Sequence, residues 1–121
     1  MLEILKCNQC GKLVMVVRNG TQGLTCCDQD MERLVEKSDN VHVPQIEGKN
    51  QITVSIPGVA SPMGRDHYIE WIEVFDGPYL HVKGLNPDDA PEAEFTVTSP
   101  RVKVRTYCEA HGLCSSRPSK R

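Results

Sequence analysis

The chain has 121 residues, a quarter of them charged, a formal net charge of −2, and six cysteines. That length holds one ordinary domain or two very small ones, and the charge balance offers nothing to draw nucleic acid or an anionic membrane surface. The longest apolar run, Leu13 to Val17, is strand-sized and far below the roughly 20 residues of a membrane span. The opening Met-Leu-Glu-Ile-Leu-Lys has neither the basic nor the apolar region of a signal peptide. A cytoplasmic protein is therefore expected, and in a reducing compartment its cysteines read as metal ligands rather than disulfides.

Residues 1–36 form the first expected domain. A piece this short cannot bury enough apolar surface to offset its chain entropy, so a metal or a partner must help. Cys7-Asn8-Gln9-Cys10, followed fifteen residues later by Cys26-Cys27, supplies four thiolates. Leu13–Val17 and Leu24–Thr25 read as two strands joined by a turn at Asn19-Gly20, a hairpin that would return the second cysteine pair to the first. Adjacent cysteines on a strand point to opposite faces, so Cys26 and Cys27 need a bent backbone. Four thiolates make a closed site, suited to folding the unit or passing electrons. The spacing alone does not choose between zinc and iron.

Residues 33–41 are polar and read as a linker, and residues 37–121 form the second expected domain. Gln51–Ile56 alternates, with Ile52, Val54 and Ile56 inward, after turn chemistry at Glu47-Gly48-Lys49-Asn50. Tyr68–Phe75 reads as a strand closed by Asp76-Gly77-Pro78, with Trp71 as an interior anchor. Tyr79–Val82, Glu94–Thr98 and Val102–Tyr107 follow. Short strands at this spacing predict a mostly β chain whose larger part is a small β-sandwich. Asp88-Asp89 with Glu92 and Glu94 reads as a solvated acidic loop, and the basic tail from Ser115 to Arg121 as disordered.

Cys108-Glu109-Ala110-His111 brings a thiolate and an imidazole within reach of one metal ion. With His42 and His67 it makes a candidate iron site of three histidines and one cysteine. His81 reads as a packing or solvated histidine. Cys114 reads as a bystander, with a ligand or a disulfide to Cys108 as the alternatives.

The motifs together resemble the desulfoferrodoxin and superoxide reductase family. Cys7-x-x-Cys10-Gly11 with the vicinal Cys26-Cys27 is similar to desulforedoxin. His42-Val43-Pro44, Pro62-Met63, His67-Tyr68-Ile69-Glu70-Trp71, Asp89-Ala90-Pro91-Glu92-Ala93 and Tyr107-Cys108 with His111-Gly112-Leu113 are similar to neelaredoxin. The resemblance implies a desulforedoxin-like domain followed by an immunoglobulin-like sandwich. It also implies iron held by Cys7, Cys10, Cys26 and Cys27, and a second iron held by His42, His67 and His111 around an axial Cys108. The implied activity is one-electron reduction of superoxide to hydrogen peroxide. The implied partners are an external donor such as a rubredoxin-type protein and a second copy in a homodimer.

Two departures from the family pattern stand out. The family's fourth histidine immediately precedes Pro-Met, where this chain has Ser61, and its Glu-Lys before His-Val-Pro is here Asn40-Val41. Three imidazoles and a thiolate also suit zinc. Lys49 and Arg65 are candidate substitutes for the lost lysine. The alternative function is a rubredoxin-like electron carrier or redox sensor with a degenerate or vacant second site.

Overall fold

A computed structural model describes residues 2–37, 42–99 and 101–115. Asn40, Val41 and the tail beyond Ser115 lie outside the described residues. The chain divides into two compact units, Met1–Val35 and Glu36–Arg121. Among the described residues there are strands and turns and no helix, so none is long and apolar enough to cross a membrane.

In the first unit, β1 (Glu3–Lys6) pairs antiparallel with both β2 (Leu13–Val16) and β5 (Glu32–Arg33). A separate two-residue ladder joins β3 (Thr25–Cys26) to β4 (Gln29–Asp30). This corrects the expected hairpin. Leu13–Val16 takes its partner from the preceding Glu3–Lys6, and no turn forms at Asn19-Gly20. The tie between Cys7 and Lys12 (N to O, 2.9 Å) closes β1–β2 within six residues, so the local connection wins over the longer one through Asn19-Gly20. Among the described residues of this unit, only Ile4 and Cys7 are deeply buried.

The second unit is the expected immunoglobulin-like β-sandwich. One sheet has the order β10–β7–β6, from β6 (Gln45–Glu47), β7 (Gln51–Ser55) and β10 (Glu92–Thr96). The other has the order β12–β11–β8–β9, from β8 (Trp71–Asp76), β9 (Tyr79–Gly84), β11 (Lys103–Cys108) and β12 (Gly112–Ser115). The period of two decides what each face carries. Ile52, Val54 and Ile56 meet Ile72, Val74 and Val104 in the core, each at most 2% exposed. Burial of such a side chain contributes about 1.5–3 kcal/mol. Asp76 links the sheets, its carboxylate accepting from the Thr98 N–H at 2.7 Å and from the Thr98 hydroxyl. Gly48 (φ 102) and Gly77 (φ 58) adopt the left-handed backbone that the β6–β7 and β8–β9 turns require. At Gly48 an added Cβ would also collide with the Gln51 carbonyl.

The opposite face of the four-stranded sheet combines buried charge with aromatic rings. Glu73 and Arg105 stand directly across from each other and are 0% and 1% exposed. The Arg105 guanidinium lies 2.8 Å from Glu73 through both Nε and Nη2 and sits over the Phe75 ring. Trp71 is on this face too, half-buried and stacked on Tyr107 with ring centroids 4.8 Å apart. It is not the interior anchor expected, because its register is that of Glu73 and not of Ile72.

Candidate metal centres

Four thiols converge in the first unit. Cys7 and Cys10 come from the tight β1–β2 connection, where Gly11 (φ 83) donates its N–H to the Cys7 carbonyl. Cys26 ends β3, and Cys27 (φ 56) and Asp28 (φ 61) turn the chain in left-handed conformations. That is the bend two adjacent cysteines need to face one point. Their four sulfurs lie within 4.8 Å of one another, with Cys10–Cys26 at 3.7 Å and Cys26–Cys27 at 3.9 Å.

The Cys10 N–H, 3.4 Å from the Cys7 sulfur, leads in lowering the Cys7 thiol to about 6. Hydrogen bonding to Cys7 and Cys10 pushes Cys26 up to about 12, and Cys27 is raised chiefly by Cys10. Protons are therefore held more tightly at Cys26 and Cys27 than at Cys7. A cation that takes all four as thiolates must displace the remaining protons.

The second cluster draws on three separate segments. His42 lies three residues before β6 and is buried, 4% exposed. His67 comes from the connection between β7 and β8, which Met63 pins at three points. The Met63 N–H donates to the Asp89 carbonyl (3.0 Å), its carbonyl accepts from Asp88 (2.8 Å), and its sulfur accepts from Ile69 (3.2 Å). The Glu70 N–H then bonds the carbonyl of Tyr107, next to Cys108. Cys108 ends β11 and His111 sits in the turn to β12, closed by Gly112 (φ 87) and by the His111 N–H on the Cys108 carbonyl.

His42 Nε2 is 3.3 Å from His67 Nε2, and the Cys108 sulfur is 3.7 Å from His42 Nε2 and 3.3 Å from His111 Nδ1. The three ring centroids are 4.7–5.4 Å apart. Two nitrogens bound at about 2.1 Å with angles near 90–110° stand roughly 3.0–3.4 Å apart, and a nitrogen and a sulfur slightly farther. The donor set therefore fits a single first-row metal ion.

All eight sequence-predicted ligands fall in these two clusters. Cys114 is in neither. It is buried in β12 opposite Thr106. His81 is also apart, packed against Phe95 with ring centroids 6.0 Å apart. Ser61 is exposed in the Met63 connection. One neighbour of the site was missed in the sequence. Lys37 forms a parallel bridge with Cys114, and its Nζ would lie 3.7 Å from a Cβ built on Gly112. Its position five residues before His42, within a polar stretch, carried no signal without the bridge to β12.

With this geometry established, likeness to known proteins becomes interpretable. The family model described as desulfoferrodoxin matches residues 31–117, and that for the desulfoferrodoxin N-terminal domain matches residues 1–34. The chain belongs to the desulfoferrodoxin family. It is 45% identical to a desulfoferrodoxin homolog of Archaeoglobus fulgidus, over 96% of this chain and 97% of the relative. It is 43% identical to the desulfoferrodoxin of Nitratidesulfovibrio vulgaris, over 91% of each. The fold of the superoxide reductase from Treponema pallidum superposes with a TM-score of 0.78 over 97% of this chain and 98% of that one, at 22% identity. That of the superoxide reductase (neelaredoxin) from Ignicoccus hospitalis gives 0.50 over 64% of this chain and 78% of that one, also at 22% identity.

Proposed function

We propose that this desulfoferrodoxin family member is a superoxide reductase-type oxidoreductase, with residues 1–36 as a four-cysteine iron module and residues 37–121 as the catalytic domain. Superoxide would take one electron and two protons and leave as hydrogen peroxide. The observation that carries this reading is the convergence of His42, His67, Cys108 and His111, three neutral donors and one that binds as an anion, on the rim of a packed sandwich. Iron bound there would supply the electron. Zinc could occupy the same donors but cannot supply that electron, having no redox chemistry of its own.

The chain's own residues divide the remaining work. Cys108, 1% exposed, places a thiolate on the protein side of the site, while His111 is exposed and marks the solvent side. Lys37 would provide the positive charge near the approach, in place of the Lys49 or Arg65 considered from sequence. Cys7, Cys10, Cys26 and Cys27 would hold a second iron that receives electrons from a rubredoxin-type donor. Val17 and Leu24 are 79% and 43% exposed in that module and would be covered in a homodimer.

The deciding experiment is Cys108→Ser in iron-loaded, anaerobically purified protein. Superoxide consumption should fall by more than the roughly 10–100-fold typical of altered metal-site support, while the four-thiolate spectrum is unchanged. Undiminished consumption would place the chemistry elsewhere. One iron per chain in the unsubstituted protein, with no superoxide consumption, would make it an electron carrier.

A further inference from the structure

We infer that Glu36 is a latch that registers the chain entering His42 against the hairpin carrying Cys108 and His111, which makes it a positioning residue for the second metal centre. This rests on the reading of His42 as a ligand. The Glu36 carboxylate spans two cations on β11, with Oε1 2.9 Å from Lys103 Nζ and Oε2 3.1 Å from Arg105 Nη1. Burial alone would raise the Glu36 pKa, but hydrogen bonds from Lys103 and Arg105 outweigh it and hold the carboxyl below its ordinary range.

Arg105 cannot yield, because its guanidinium is tied to Glu73 at 2.8 Å. Glu73 in turn accepts the Trp71 indole N–H at 2.6 Å. The latch is thus seated on a charge network inside the protein rather than on a mobile surface pair.

The backbone beside Glu36 is fixed at the same time. Lys37 donates its N–H to the Leu113 carbonyl at 2.8 Å and accepts from the Ser115 N–H at 2.9 Å, adding one residue alongside β12. Carboxylate and backbone therefore grip β11 and β12, the two strands joined by the turn that holds His111. His42 follows Lys37 by five positions, and three residues later the chain enters β6. Anchoring on both sides limits how far His42 can wander before a metal binds, so less ordering remains to oppose binding. His42 is the cluster member that precedes every strand of its own unit, and so it most needs such an anchor.

The test is release of iron(II) from the full-length protein to a ferrous chelator under anaerobic conditions, with the four-thiolate absorption as internal reference. Glu36→Gln keeps the shape and removes the charge. It should speed release from the second centre about 10–100-fold, leave the first centre unchanged, and add nothing in a His42→Ala background. Glu36→Asp should recover part of the retention. Equal acceleration with and without His42, or none in either, overturns the latch. If His42→Ala itself leaves iron retention unchanged, His42 is not a ligand and the reading of the site fails first.

Discussion

The two metal clusters are built on opposite plans. The four thiols arise from two tight connections within 21 residues, in a unit where Ile4 and Cys7 are the buried side chains among the described residues. The three imidazoles and one thiol come from segments as far apart as His42 and His111, on a sandwich whose core includes Cys108 and none of the three histidines. In the first unit the ligands take the place of a core. In the second the core exists, Cys108 belongs to it, and the histidines are placed on it. Metal binding should therefore act as folding energy in one and as occupancy of a formed site in the other.

The sharpest way to break this comparison is to remove metal from both centres. The first unit should lose its ordered amide signals and its hydrogen-exchange protection, while the β7, β8 and β11 amides stay protected. A metal-free first unit that keeps its protection would show that Ile4 and its neighbours suffice, and the contrast would collapse.

Charge pairs follow the same division. Arg33 and Glu3 meet at 3.3 Å on the surface of the first unit, with side chains 67% and 31% exposed. Glu3→Gln should cost about 0–1 kcal/mol. Glu73→Gln removes the carboxylate facing Arg105, where both side chains are essentially inaccessible, and should cost up to about 3–5 kcal/mol because the buried guanidinium keeps only the part-exposed Glu36 carboxylate. Chemical denaturation of the two variants measures both. Equal losses would mean that the sandwich exposes this face more than its burial implies.

The same contrast explains what could be read in the chain. The four-cysteine centre was legible because its spacing is local, and the vicinal pair even required the bend found at Cys27 and Asp28. The sandwich strands were legible where one face alternates, as in Gln51–Ile56. The β1–β2 pairing was not, because Glu3–Lys6 is too short and mixed to declare itself. Trp71 was misjudged for a related reason. Tyr68–Phe75 has apolar residues on both faces, so periodicity could not show which face met the core. Only the cross-strand register, Glu73 opposite Arg105 and Trp71 opposite Tyr107, assigns them. The second metal centre was visible as Cys108 and His111 with His42 and His67 as candidates among the remaining histidines, and the resemblance matched each of them to a ligand motif. No spacing rule joins residues brought together by a fold.

Lys37 provides the finest test of the plan assigned to the second centre. Its backbone is held to β12 and its ammonium packs over Gly112, beside His111 and opposite Cys108 in the ladder. A fixed positive charge there should raise the encounter rate of a small anion without altering the donors themselves. Lys37→Met keeps the stem that covers Gly112 and removes only the charge. Superoxide consumption should fall about three- to tenfold at low ionic strength, a modest share of what a whole charged cleft can contribute. The deficit should shrink as salt shortens the screening length toward roughly 10 Å at 0.1 M. Lys49→Met makes the same change in net charge in the β6–β7 turn. If both variants slow the reaction equally, the protein's overall charge is responsible and Lys37 has no local role. If Lys37→Met alone is slowed and salt erases the difference, the chain supplies its cation from the residue beside the Glu36 latch.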